Sequence, residues 1–276
     1  MFHLFTNNHT HHVNNSNSRR DFLKKATSLS IISASSAVAN TVDSLCSITQ
    51  SSNDIYLSHE DFQTLTLLRQ RFKRLKKFVG FSNFNIISYN SALYYARNYS
   101  SIGKFTQAEI YLMERFFYED PSRYGFYGDK TVEHITTSIK RSDLQKINGS
   151  GHFIFKGTSL ESFTRLQKDV DTHSVILTSG VRSVIKQMRL FADKLYRNHG
   201  NITQTTSSIA PPAYSYHSTG DYDLGKRGFG YANFTSRFAL TKEFRELKKL
   251  PYIEMRYTLL NNDGVRYEPW HIKAKV

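Results

Sequence analysis

The sequence predicts an α+β protein in which a helical region precedes a smaller domain of helices and short, antiparallel strands. Three observations carry that expectation. The chain has 276 residues and is 39% hydrophobic, enough for one sizeable core with a helical annex. Residues 58–146 show helical periodicity and no motif assignable to chemistry. From Gly151 onward short apolar runs alternate with amphipathic ones, and two histidine-bearing segments lie close to the end of the sequence.

The elements follow in order. Ser58-His59-Glu60-Asp61 resembles a capping box and opens a helix to about Val79. Helical patterns follow over Ser91–Asn98 and Thr106–Tyr118, the second closed by Asp120-Pro121, and a further helix is predicted over Thr131–Lys146. His152–Phe155 is a strand candidate, and Ser159 is placed to cap a helix to about Asp169. Val175–Thr178 reads as an apolar strand, followed by a helix over Val184–Arg197 that stops at His199-Gly200. A helical stretch over Thr241–Lys249 and two strands, Glu254–Leu260 and Val265–Lys273, complete the reading. The resulting organisation is 1–39, a signal peptide; 40–57, a Ser-, Thr- and Asn-rich tether; 58–146, the helical region; and 147–276, the domain that carries the chemistry.

The signal-peptide expectation rests on Ser18-Arg19-Arg20-Asp21-Phe22-Leu23-Lys24, which fits the twin-arginine export pattern. A weakly apolar run and Ala37-Val38-Ala39 follow, with cleavage expected before Asn40 and a location outside the cytoplasm, in the periplasm or beyond. That run is too short and too Ser-rich for a stable membrane span. Net charge is +14, and loss of residues 1–39 removes three positive charges to leave about +11. An exported protein of this charge meets wall polymers and phosphorylated lipids, so no nucleic-acid partner is expected. The basic run Arg69–Lys77 reads as the solvated face of a helix. The single cysteine, Cys46, excludes an intramolecular disulfide. Nothing in the sequence specifies an oligomeric state.

The chemistry concentrates in Ser215-Tyr216-His217-Ser218-Thr219-Gly220-Asp221-Tyr222-Asp223 and Glu268-Pro269-Trp270-His271. Two histidines, an aspartate and a spare glutamate are the parts of a catalytic zinc site: three ligands, an open position for water, and a carboxylate to take that water's proton. Glu268 and His271 would face opposite ways on a regular strand. Pro269 suits the second position of a turn that brings them within about 7 Å. Two Ser-x-x-Lys strings, at Ser101 and Ser183, lack the accompanying Lys-Thr-Gly of serine carboxypeptidases. Gly228-Phe229-Gly230 lacks the third glycine of a dinucleotide loop.

Ser179-Gly180-Val181-Arg182-Ser183 with Gln187, then Ser215-x-His217-x-x-Gly220, then Glu268-Pro269-Trp270-His271 come in an order that resembles the VanY-type zinc D-alanyl-D-alanine carboxypeptidases. The resemblance covers about residues 151–271. It implies the hedgehog/DD-peptidase fold, a small α+β domain whose antiparallel sheet carries a Zn2+ ion. It further implies His217, Asp223 and His271 as metal ligands, Glu268 as catalytic base, and Arg182 as the residue that binds substrate and stabilises the oxyanion. Gln187 and Ser215 match positions that hold the substrate's terminal carboxylate. The sequence departs from the family at one point: Asp223 falls one residue closer to His217 than usual, and Asp221 competes for its place. Leu224, which preserves the family's aspartate–aliphatic step, favours Asp223. The implied activity is removal of the terminal D-alanine from peptidoglycan stem peptides. L,D-carboxypeptidase or endopeptidase action, or a non-catalytic zinc-stabilised wall-binding module, are the alternatives.

Overall fold

The computed structural model describes residues 53–275; the twin-arginine segment, its cleavage site and Cys46 lie outside the described residues. Helix α1 (His59–Val79) begins where Ser58 accepts the amide of Asp61, and it buries Leu65, Leu68, Phe72 and Leu75 along one stripe. Helix α2 (Phe81–Phe84) is a single turn, α3 spans Tyr89–Asn98, and α4 spans Gln107–Tyr118. Thr106 and Glu109 close a reciprocal capping box at the start of α4.

The helix expected over 131–146 does not form. The amides of Thr131 and Val132 both bond the carbonyl of Ala213, so the chain enters this stretch tied to a distant loop. The β-branched residues Thr131, Val132, Ile135, Thr136 and Thr137 weaken helix propensity further. The segment ends instead in β1 (Leu144–Lys146), antiparallel to β2 (Phe153–Phe155).

Helix α5 (Thr158–Val170) starts at Gly157 without a side-chain cap. Ser159, expected as that cap, instead donates its hydroxyl to Gly220 O at 2.8 Å. Strand β3 (Val175–Ser179) leads to α6 (Val184–Arg197), then the short α7 (Ile202–Thr206), β4 (Tyr222–Lys226), α8 (Lys242–Leu247), β5 (Ile253–Met255) and β6 (His271–Ala274). The last two strands are shorter than expected. The intervening residues 256–270 leave the sheet as a loop.

The four strands form an antiparallel sheet in the order β3-β4-β6-β5. Leu177 pairs with Leu224 and Tyr222 with Ile272, and all four belong to one buried cluster with Phe163 and Leu166 of α5. Strand alternation sends Asp221 and Asp223 to the opposite face. Asp223 pairs directly with His271, so the two share that face.

A second core joins α1, α3 and α4 to α6, which contributes Ile185, Met188, Phe191 and Leu195. Helix α6 is therefore a partition. One side seals the helical region, and the other lines the cavity described next. Among the described residues no helix is long and apolar enough to cross a membrane.

Candidate active site

All seven residues singled out in the sequence line one cavity of about 280 Å³: Arg182, Gln187, Ser215, His217, Asp223, Glu268 and His271. Its floor is the polar face of β4 and β6, and α6 forms one wall. The loop carrying Tyr257, Val265 and Arg266 forms another.

His217 sits in a 3-10 turn, Tyr216–Ser218, and is almost fully buried. Its Nδ1 donates to Gly180 O at 2.8 Å, which leaves the Nε2 lone pair facing Asp223 Oδ1 at 3.3 Å. Gly180 can present its carbonyl there only because it lacks a side chain: a Cβ would lie 1.9 Å from Phe153 O. His271 is oriented the other way round. Its Nε2 donates to Asp221 Oδ2 at 3.0 Å, and its Nδ1 lies 3.4 Å from Asp223 Oδ1.

Zinc–ligand bonds of about 2.0–2.1 Å in a tetrahedron place neighbouring ligand atoms about 3.3–3.4 Å apart. The two separations at Asp223 Oδ1 match that edge, and the three ligand atoms all lie within 4.8 Å of one another. Both His217 Nε2 and Asp223 Oδ1 are buried without a hydrogen-bond partner, a costly arrangement that a bound cation would relieve. The donor set and its spacing fit zinc.

Asp221 is not in the cluster. It stands behind it, receiving Arg256 Nε at 2.8 Å and Nη2 at 3.0 Å as well as His271. Burial opposes its charge, but the bonds from His271 and Arg256 hold the carboxyl below its usual range. A carboxylate behind a metal-facing imidazole fixes the ring's orientation and makes it a stronger donor.

The electrostatics separate the two histidines. Burial first, then the Arg182 charge, lowers His217 to about 4 and keeps it neutral. Burial also opposes protonation of His271, yet Asp221, Glu268 and Asp223 together raise it to about 9. Asp223, though buried, is held well below the carboxylate range by His217 and Arg182.

Glu268 and His271 are joined by the expected turn: His271 N donates to Glu268 O at 3.1 Å, with Glu268 Oε2 3.7 Å from His271 Nδ1. Arg182 projects from the turn after β3. Its Nη2 pairs with Asp223 Oδ2, its Nε donates to Ser179 Oγ at 2.9 Å, and its Nη1 reaches Gln187 Oε1 at 3.4 Å. Gln187 also donates to Ala210 O at 2.8 Å, and Ser215 is buried at the cavity edge.

Sequence reasoning missed Arg256, whose guanidinium stacks 3.7 Å over the Tyr216 ring, and Tyr257, packed edge-on against His271. It also missed the supporting place of Asp221. The i, i+2 spacing of Asp221 and Asp223 was the available signal, because residues two apart on a strand share a face.

An α+β domain whose small antiparallel sheet presents two histidines and a carboxylate at a cavity, beside a glutamate, has the organisation of a metal-dependent hydrolase. Residues 155–274 match the family model described as VanY: D-alanyl-D-alanine carboxypeptidase, and this stretch of the chain resembles that family. Similar solved structures include a point mutant of the vancomycin resistance D,D-pentapeptidase VanY from the VanB-type resistance cassette, in complex with Zn(II). It shares 22% identity over 48% of this chain and 77% of that one, with a TM-score of 0.39. The D,D-dipeptidase VanXYg, in complex with a D-Ala-D-Ala phosphinate analog, shares 19% identity over 53% and 57% of the two chains, with a TM-score of 0.42. The LD-carboxypeptidase LdcB shares 22% over 49% and 69%, with a TM-score of 0.40. The chain has no match among curated proteins.

Proposed function

We propose that this chain is an exported zinc-dependent D,D-carboxypeptidase that removes the terminal D-alanine from peptidoglycan stem peptides. One observation carries the reading most directly: His217 Nε2 and His271 Nδ1 lie 3.3 and 3.4 Å from Asp223 Oδ1, about the edge of a zinc tetrahedron, on the wall of a cavity that also holds Glu268. The family match supports this substrate class.

His217, Asp223 and His271 would hold the zinc, which when bound polarises a carbonyl and lowers the pKa of water. Glu268 is placed to take a proton from the attacking water and deliver it to the leaving amine as the peptide bond breaks. Arg182 keeps Asp223 charged and its Oδ2 occupied, which turns Oδ1 towards the histidines. Its guanidinium edge on the cavity can also offer donors to the oxyanion or a substrate carboxylate. Gln187 and Ser215 would hold the substrate's terminal carboxylate. The twin-arginine sequence supports export to the compartment where stem peptides occur.

Digestion of a defined pentapeptide and tetrapeptide, with products weighed by mass spectrometry, tests the reading. Loss of one D-alanine from the pentapeptide alone is expected. Cleavage of only the tetrapeptide, or of an internal bond, would replace this specificity with another.

A further inference from the structure

The cavity continues beyond the histidine cluster. Helix α6 lines it with Gln187, Leu190, Lys194 and Arg197, which recur on one face over about 15 Å of helix. Arg266 belongs to the same lining, just before Glu268 in the chain.

Lys194 and Arg266 are half-buried, and Arg197 is exposed. Ion pairs of 2.9, 2.6 and 2.8 Å hold Arg71, Arg115 and Arg256. Among the described residues, Lys194 and Arg197 have no ion-pair or hydrogen-bond partner for their side chains. The nearest carboxylate oxygen to Arg266 is Glu268 Oε1 at 4.0 Å; its Nε is buried without a hydrogen bond, while Nη2 donates to Phe234 O at 3.5 Å and the guanidinium lies 5.6 Å from the centre of the Trp270 ring. Burial, then the charges of Arg266 and Arg197, lower Lys194 to about 8 against an opposing pull from Glu268, so the cations repel one another. Like charges gathered in a half-enclosed cavity are unfavourable unless an anion enters it.

We propose that Lys194, Arg197 and Arg266 form an anion subsite that takes a carboxylate of the substrate peptide other than its terminal one. The inference rests on the peptidase reading of the adjacent cluster. The terminal carboxylate is the group expected at Gln187 and Ser215, which leaves these cations to a second carboxylate. One residue spans at most about 3.6 Å, whereas Lys194 and Arg197 branch from α6 about 10 and 15 Å beyond Gln187. A side-chain carboxylate on a neighbouring residue meets that distance. Arginine adds paired donors suited to a planar carboxylate.

The test uses two ligands that carry no terminal D-alanyl-D-alanine bond, Nα-acetyl-Nε-succinyl-lysyl-D-alanine and its Nε-acetyl counterpart, titrated into the intact protein by calorimetry. The succinylated ligand should bind about tenfold more tightly at low salt, and the advantage should shrink as salt rises. It should fall towards unity in Arg197→Ala and Lys194→Met. Equal binding of both ligands by the unaltered protein, or an advantage that survives both substitutions, overturns the subsite. The same peptides extended by one D-alanine separate the two claims. Release of D-alanine with equal binding keeps the peptidase and removes the subsite. Preferential binding without release keeps the subsite and overturns hydrolysis.

Discussion

Asp221 accepts the Nε2 proton of His271 at 3.0 Å and thereby decides which nitrogen of that ring faces the cavity. Asp221, just before β4, and Asp223 within it divide the work around one imidazole, Asp221 on Nε2 and Asp223 near Nδ1. Asp221→Asn keeps an acceptor but removes the charge, so the fold should persist while zinc affinity falls about 10- to 100-fold. Competition against a chromophoric chelator measures this directly. Unchanged affinity would show that the charge on Asp221 contributes nothing to the metal site.

Glu268 stands 3.7 Å from His271 Nδ1 but outside the closely spaced cluster. Glu268→Gln should therefore leave zinc content intact and lower kcat about 10²- to 10⁴-fold. Retained turnover would remove Glu268 from proton transfer. Loss of the metal would make it a ligand instead.

Lys186 lies buried on α6, 5.4 Å from the centre of the Phe81 ring. Burial, then Arg182 and Arg189, lowers it from 10.5 to about 7. A folded pKa below the unfolded one means that the unfolded chain binds more protons between those values. Stability from this group therefore rises as pH increases from 7 to 10.5, and the penalty is complete below pH 7. Lys186→Met should be more stable than the parent at pH 7, on the order of 2 kcal/mol, with the difference shrinking by pH 10. Urea unfolding at both pH values checks it, and a pH-independent difference would contradict it.

Helix α6 buries Ile185, Met188, Phe191 and Leu195 against α1, α3 and α4. A chain cut to residues 147–276 would expose that stripe. It should aggregate or bind a hydrophobic dye, and its cavity wall should loosen. A monomeric, cooperatively unfolding fragment would show that the helical region is dispensable for the domain.

Much of this was legible in the sequence because the signals were local. Ser58, Thr106 and Ser183 cap helices where their hydroxyls meet free amides, and Pro269 sets the turn that joins Glu268 to His271. What was illegible depends on distant partners. The stretch 131–146 is drawn out of helix by the carbonyl of Ala213, and Ser159 is diverted from capping by Gly220. The strand β4 was hidden because Asp221, Tyr222 and Asp223 alternate polar and apolar over too few residues to show a period. Arg256 carries no local mark. Only the folded sheet brings it to Asp221.

Zinc titration of chelator-treated protein, with D-alanine release from a defined pentapeptide followed at each addition, tests the central claim most directly. Activity should return in proportion to bound zinc and reach its plateau at one equivalent. Full-rate release from the metal-free protein, or no release once one equivalent of zinc is bound, would contradict it.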